Sequence, residues 1–231
     1  MIALVTGGTR GIGLACVHAL KEAGHTVAVV ARTVQAFFDY DLHIRVDLSK
    51  EHDRFKLIET VIAKLGGLDV LINNAGCQHN SPALDYDVAD WNDQLELMLT
   101  APFDLSQQAA RHMLTHGGGR IINMASVAGI TGPRGIIAYS VAKAGLIEMT
   151  KCLSNEWLPF GITVNAIAPG FIETGMQTLT PEHKQAMLGR IPAARYGLPE
   201  EVASAVVWLA SDAAHYISGI CLPVDGGWMA R

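Results

Sequence analysis

Short, almost continuously apolar runs alternate along the chain with longer stretches in which apolar residues return every three or four positions. The runs lie at Ile2–Thr6, Thr26–Ala31, 44–46, Val70–Asn73, 120–125, 162–168 and 220–224. Strands covered on both faces read this way. The longer stretches fall near 12–23, 51–65, 88–115, 137–158 and 200–211 and have helical periodicity. Such alternation predicts an α/β fold, a doubly wound parallel sheet of about seven strands with helices on both faces. Crossovers are expected to be right-handed. No repeat, linker or low-complexity segment interrupts residues 1–231, so a single domain is expected. One link is short: residues 33–42 join the second and third strands. A crossover normally takes a dozen or more residues, so a clipped helix or turn is predicted there, with Phe37, Phe38 and Tyr40 covering the sheet.

Composition narrows the function classes. Half of the 231 residues are hydrophobic and 17% are charged, enough apolar material for a sizeable core. The net charge of −5 and the lack of a basic run argue against a nucleic-acid or anionic-membrane surface. No apolar stretch approaches the ~18 residues of a membrane span. The N-terminus enters an apolar strand at once and does not read as a signal peptide. Cys16, Cys77, Cys152 and Cys221 are far apart and form no CxxC pair. They read as reduced, mostly buried thiols of a cytoplasmic protein. His112 and His116 stand one helical turn apart without an intervening Glu or a third ligand, so no metal site is expected.

Between the first strand and the first helix lies Thr6-Gly7-Gly8-Thr9-Arg10-Gly11-Ile12-Gly13. Glycines in a strand-loop-helix setting allow a tight turn and close approach of backbone to a pyrophosphate. The helix N-terminus adds free N–H groups and a positive dipole end. The sheet is thus read as Rossmann-type, although the G-x-x-x-G-x-G spacing differs from the common dehydrogenase fingerprint. An NAD site usually places an acid about 20 residues further on to bond the ribose 2′-hydroxyl. The second strand ends instead in Val30-Ala31-Arg32-Thr33. Arg32 offers a fork for a 2′-phosphate and Arg10 a second charge, so NADP(H) is favoured over NAD(H). Asp47, after the third strand, reads either as an adenine contact or as a cap of its own loop.

Tyr139 and Lys143 stand four residues apart on the fourth long helical stretch, and Ser126 lies thirteen residues upstream. At that spacing both side chains share a helix face. A free phenol, with a pKa of about 10, is a poor proton carrier at neutral pH, and a nearby lysine cation is expected to bring it down. A serine that holds a carbonyl oxygen against the phenol would complete a device for interconverting alcohols and ketones.

Together these motifs resemble the short-chain dehydrogenase/reductase family, almost end to end. The glycine loop, Asn73-Asn74-Ala75-Gly76, Ser126, Tyr139-x-x-x-Lys143, Pro169-Gly170 and Val224-Asp225-Gly226-Gly227 fall in family order. The resemblance implies an NAD(P)-dependent oxidoreductase with Ser126, Tyr139 and Lys143 as catalytic residues. It implies a cofactor site formed by Gly7, Thr9, Arg10, Gly11, Ile12, Gly13, Arg32, Asp47, Leu48, Asn74, Ala75, Gly76, Tyr139, Lys143, Pro169, Gly170, Ile172 and Thr174. It also implies a substrate lid over about 171–197 and a homo-oligomer, tetramer or dimer. The apolar stretches 144–157 and 202–209 would serve as its interfaces. Met98 departs from the family, which often carries an asparagine there to hold a relay water against the lysine. Two readings stay open: the Met98 backbone carbonyl does this work, or catalysis is weak and the protein is an NADP-binding sensor or scaffold.

Within the family, 169–176 and 191–201 resemble 3-oxoacyl-carrier-protein reductases, a likeness shared with many carbonyl reductases. The arginines that tend to mark carrier-protein docking are replaced by Gly117 and Phe160. Residues 74–79 instead resemble 3-hydroxybutyrate dehydrogenases, in which a glutamine grips the substrate carboxylate. The histidine those enzymes carry two residues past the serine is Ala128 here. Gln78, His79, Ala128 and Phe171 are therefore the expected pocket residues, and Met176, Leu179, Met187 and Leu188 the apolar side of the lid.

Overall fold

A computed structural model describes residues 1–33, 40–175 and 181–230. Seven parallel strands form one sheet in the order β3-β2-β1-β4-β5-β6-β7. They are β1 (Ile2–Thr6), β2 (Thr26–Ala31), β3 (Leu42–Arg45), β4 (Val70–Asn73), β5 (Gly119–Met124), β6 (Ile162–Pro169) and β7 (Cys221–Val224). The helices are α1 (Gly11–Glu22), α2 (Glu51–Arg54), α3 (Leu57–Leu65), α4 (Val88–Leu95), α5 (Ala101–Met113), α6 (Ala128–Thr131), α7 (Ile137–Trp157), α8 (Pro181–Leu188) and α9 (Pro199–Ala210). Strand order reverses at β1, whose neighbours are β2 and β4. Ligands of such sheets gather outside the carboxyl ends of the strands at this switch point.

Alternate residues of each strand feed separate cores. Ala3, Val5, Val27, Val29, Val70 and Ile72 pack with Cys16, Val17 and Leu20 of α1 and Val202, Val206 and Leu209 of α9. Leu4, Ala28, Val30, Leu71 and Ile121 pack on the other face with Ile58 and Val61 of α3 and Leu105, Ala109 and Met113 of α5. Pro223 sits in β7, the edge strand, where a missing N–H costs the sheet least. Tyr40 packs against the first core, as expected, while Phe37 and Phe38 lie outside the described residues.

Two expectations need correction. The stretch 88–115 is not one continuous helix: a π-helical turn, Glu96–Thr100, separates α4 from α5. Pro102 has no N–H to offer the Met98 carbonyl, its i−4 acceptor, so an unbroken α-helix cannot run through this point. The cysteines are free but not mostly buried. Cys16 is, Cys77 and Cys221 are half-buried, and Cys152 is exposed. His112 and His116 stack 3.9 Å apart, and no cluster among the described residues could hold a metal ion. No helix among them is long and apolar enough to cross a membrane.

Candidate active site

The loops after β1 and β4 are sewn together by one hydroxyl. Thr6 Oγ1 accepts from the N–H groups of Asn74 and Ala75, both at 2.9 Å, and donates to the Ile72 carbonyl at 3.3 Å. The Asn74 amide donates to the Thr6 carbonyl at 2.9 Å and the Gly7 carbonyl at 3.3 Å. Gly7 holds φ +65°, a left-handed conformation suited to glycine. A Cβ on Gly13 would collide with the Gly7 carbonyl oxygen and the Asn74 amide. The bare backbone thus leaves a cradle at the N-terminus of α1, which fits a pyrophosphate. Thr174 faces this loop from the far side, where a Cβ on Gly11 would come within 3.2 Å of its own Cβ.

Beyond the ends of β2 and β3, Arg32 is exposed beside Asp47, and Arg10 is exposed on the glycine loop. Burial works to raise the Asp47 carboxyl, but bonds from the Ser49 N–H (3.1 Å) and hydroxyl (2.8 Å), with the charge of Arg32, hold it below the ordinary range. Asp47 therefore caps its own loop. Buried Leu48 is fixed behind it, its carbonyl accepting from Arg54 at 2.9 Å.

Behind the site runs a buried amide chain. Asn73 donates to Asn123 (2.9 Å) and to Ser106 (3.1 Å) on α5, and Asn123 donates to Thr150 (2.9 Å) on α7. Sheet, α5 and the helix carrying Tyr139 and Lys143 are locked to one another.

Ser126 ends the loop after β5, its Oγ accepting from the Ala128 N–H at 3.1 Å. Tyr139 lies beside Ser126, whose hydroxyl acts to hold the phenol down, and shares its surroundings with Cys77. Lys143 is buried, its Nζ donating to the Met124 carbonyl at 2.6 Å and lying 5.6 Å from the centre of the Tyr139 ring. The expectation that Lys143 lowers the phenol is not met in the protein alone. Burial pushes Tyr139 up, the Ser126 hydroxyl opposes the rise, and Cys77 adds to it. The lysine charge faces the Met124 carbonyl and the ring rather than the phenol oxygen. Burial brings Lys143 down from 10.5 to about 8, with Cys77 acting the other way.

Met98 is fully buried in the π-helical turn. A Cβ on Gly76 would meet its Sδ at 3.3 Å and Lys143 Nζ at 3.8 Å, so the thioether, Gly76 and the ammonium converge. π-Bulges recur at functional sites.

The expected pocket residues make separate local contacts. Gln78 donates to Asn80 at 2.7 Å, and His79 turns to Asp90 on α4 at 3.3 Å. Buried Ala128 opens α6. Phe171 meets Trp228 edge-on at 4.9 Å. A cavity of about 560 Å³ is lined instead by Ile130, Thr131, Arg190, Trp228 and Met229. Just after β6, the Glu173 N–H bonds the Gly197 carbonyl (3.0 Å) and the Gly197 N–H bonds the Phe171 carbonyl (2.9 Å). Met176 and Leu179 lie outside the described residues.

Sequence reasoning missed Thr6, the Met124 carbonyl, the Asn123–Thr150 link and Arg190. The polar Asn73 and Asn123 inside apolar strands were the legible signal for the link, because a buried amide demands a partner.

Residues 7–229 match the family model described as enoyl-(acyl carrier protein) reductase. The chain is 40% identical over 238 residues to the 3-oxoacyl-[acyl-carrier-protein] reductase FabG of Aquifex aeolicus, spanning 98% of this chain and 96% of that protein. It is 37% identical over 242 residues to the 2-dehydro-3-deoxy-D-gluconate 5-dehydrogenase of Escherichia coli, spanning 100% and 96%. A solved structure provisionally assigned as an NAD(P)-dependent gluconate 5-dehydrogenase from Beutenbergia cavernae, with NADP bound at low occupancy, superposes with a TM-score of 0.95. It shares 35% identity, over 100% of this chain and 97% of that one.

Proposed function

The chain belongs to the short-chain dehydrogenase/reductase family and is an NAD(P)-dependent oxidoreductase, and from that premise we propose that it interconverts a ketone and a secondary alcohol with NADP(H), Tyr139 being the acid/base. The observation that carries this reading is that Ser126 and Tyr139 lie side by side with Lys143 buried against the Tyr139 ring. When bound, the nicotinamide cofactor supplies or takes up the hydride. The backbone around Gly7, Thr9, Gly11, Ile12 and Gly13 holds the pyrophosphate. Arg10 and Arg32 hold the 2′-phosphate, and Asp47, Leu48, Asn74, Ala75 and Gly76 line the adenosine side. Pro169, Gly170, Ile172 and Thr174 hold the nicotinamide amide, and Lys143 holds its ribose.

Ser126 keeps the substrate oxygen against the phenol. Tyr139 gives its proton to that oxygen in reduction and takes it back in oxidation, and Lys143 restores the phenol. With Pro102 unable to bond the Met98 carbonyl, we assign the relay contact behind Lys143 to that backbone oxygen and not to the thioether. Screening NADPH oxidation over β-ketoesters, diketones, cyclic ketones and keto acids tests the reading; turnover of at least one class is expected.

Arg32→Asp should raise the Kd for NADPH by roughly 30-fold while changing that for NADH by less than about threefold, because a charge-assisted fork to phosphate is lost. Calorimetric titration of both cofactors checks this. Equal effects would remove the case for NADP(H).

Lys143 also sets a pH dependence. It is charged below about 8 and neutral above. Reduction draws on that proton, so kcat for ketone reduction should fall as pH rises through about 8, while alcohol oxidation gains over the same range. Stability moves in a separate window. Between about 8 and 10.5 the folded chain binds fewer protons at Lys143 than the unfolded chain, so the cost of burying this lysine is relieved as pH rises. Rate and melting profiles against pH check the two signs.

A further inference from the structure

We propose that Arg190 is the specificity residue of the substrate cavity and that it reads a carboxylate, so that the substrate is a small free keto or hydroxy acid. This deepens the oxidoreductase reading above and rests on it. The cavity abuts the catalytic residues through its wall. Ile130 and Thr131 belong to α6, which begins two residues after Ser126. At Gly129 that helix lies so close to α7 that a Cβ would come within 2.7 Å of the Lys143 carbonyl carbon and the Ala144 nitrogen. The Val127 N–H bonds the Pro169 carbonyl at 3.1 Å, which brings the Phe171 segment alongside. A volume of about 560 Å³ suits a small metabolite.

Among the described residues, Arg190 is the only charged one lining this cavity. Its guanidinium lies over the Trp228 ring, 5.0 Å from the ring centre. A guanidinium over a ring has N–H groups besides those that face it, enough for a bidentate acceptor. Among the described residues no carboxylate pairs with it. Asp225, nearest in sequence to the C-terminal wall, is turned into its own loop and accepts from the Gly227 and Met229 N–H groups, both at 2.9 Å. Arg195, by contrast, spends its fork on Glu201 at 2.7 and 2.6 Å.

The place of Arg190 is fixed. Its N–H bonds the Met187 carbonyl at 2.9 Å, the following Ile191 is buried, and the Ala193 N–H bonds the Gly226 carbonyl at 3.0 Å. Phe171 meets Trp228 edge-on. The cation is thus held over an aromatic ring at the exposed mouth of the cavity, where a bidentate pairing with a carboxylate can form.

The test compares free keto acids of four to six carbons with their methyl esters, in wild type, Arg190→Gln and Arg190→Lys. Wild type should prefer the acids in kcat/KM by about tenfold or more. Arg190→Gln should lose that preference through KM for the acids, with the esters unchanged within about twofold, and Arg190→Lys should restore part of it. An ester preference in wild type, or equal losses on acid and ester, would overturn the proposal. If no acid or ester is reduced, the oxidoreductase reading fails first. Calorimetric binding of the same acids to the NADP⁺ complex then still decides the anion site: binding lost in Arg190→Gln supports it, and binding independent of residue 190, or none, overturns it.

Discussion

Tyr139→Phe is expected to lower kcat by about 10³-fold, within the range general acid–base catalysis supplies, while leaving the Kd for NADPH within about twofold. The substitution removes one oxygen and keeps the ring. The contact with the Ser126 hydroxyl is lost, but Lys143 keeps its bond to the Met124 carbonyl and Ser126 keeps the Ala128 N–H. What disappears is the proton donor held against the substrate oxygen. Burial raises the phenol, which keeps it protonated near neutral pH and ready to give a proton in reduction. Steady-state rates with a reducible ketone, alongside NADPH titration, separate loss of chemistry from loss of binding. A rate unchanged by Tyr139→Phe would remove the phenol from the mechanism.

The second large effect is expected at Gly13. An alanine there drives its methyl group into the Gly7 carbonyl and the Asn74 amide, backbone on one side and a pinned side chain on the other. Neither can yield, because Gly7 sits at the end of β1 and Asn74 is tied to Thr6. The start of α1 must move away from the loop. Strain of this kind costs about 2–3 kcal/mol, which lowers the melting temperature of a chain this size by roughly 5–10 °C. Because the displaced N–H groups are those that face the pyrophosphate, NADPH binding should weaken by about 100-fold or more. Differential scanning fluorimetry with and without NADPH reads both effects. A variant with wild-type melting and a full cofactor-induced shift would contradict the cradle assignment.

The sheet was legible because its strands are buried on both faces and so read as apolar runs. Ile2–Thr6, Thr26–Ala31 and Val70–Asn73 match their predicted bounds. The third strand was less so. Leu42 and His43 pair with Ala28 and Val29, yet the polar His43 broke the apolar run and moved the predicted start to 44. The interruption in 88–115 went unread because apolar periodicity records which face is buried and not how the backbone bonds, although Pro102 carried the signal. The Tyr139/Lys143 pair was legible from its spacing together with the motifs around it, since a single helix carries both. What spacing cannot give is depth. That Lys143 is buried and turned to a strand carbonyl, and that Tyr139 is therefore raised and not lowered, depends on packing against β5. One cavity was not legible. Its wall comes from α6, the end of α8 and the C-terminal turn, segments far apart in sequence that only the folded chain brings together.

Transfer of deuterium from NADPH labelled at the transferable position tests the central claim most directly. The wild-type enzyme should consume NADPH mole for mole with alcohol formed, place the deuterium on the new carbinol carbon of at least one ketone or keto acid, and lose this activity in Tyr139→Phe. Tight NADPH binding with no labelled alcohol from any ketone class, or labelling that survives undiminished in Tyr139→Phe, would contradict it.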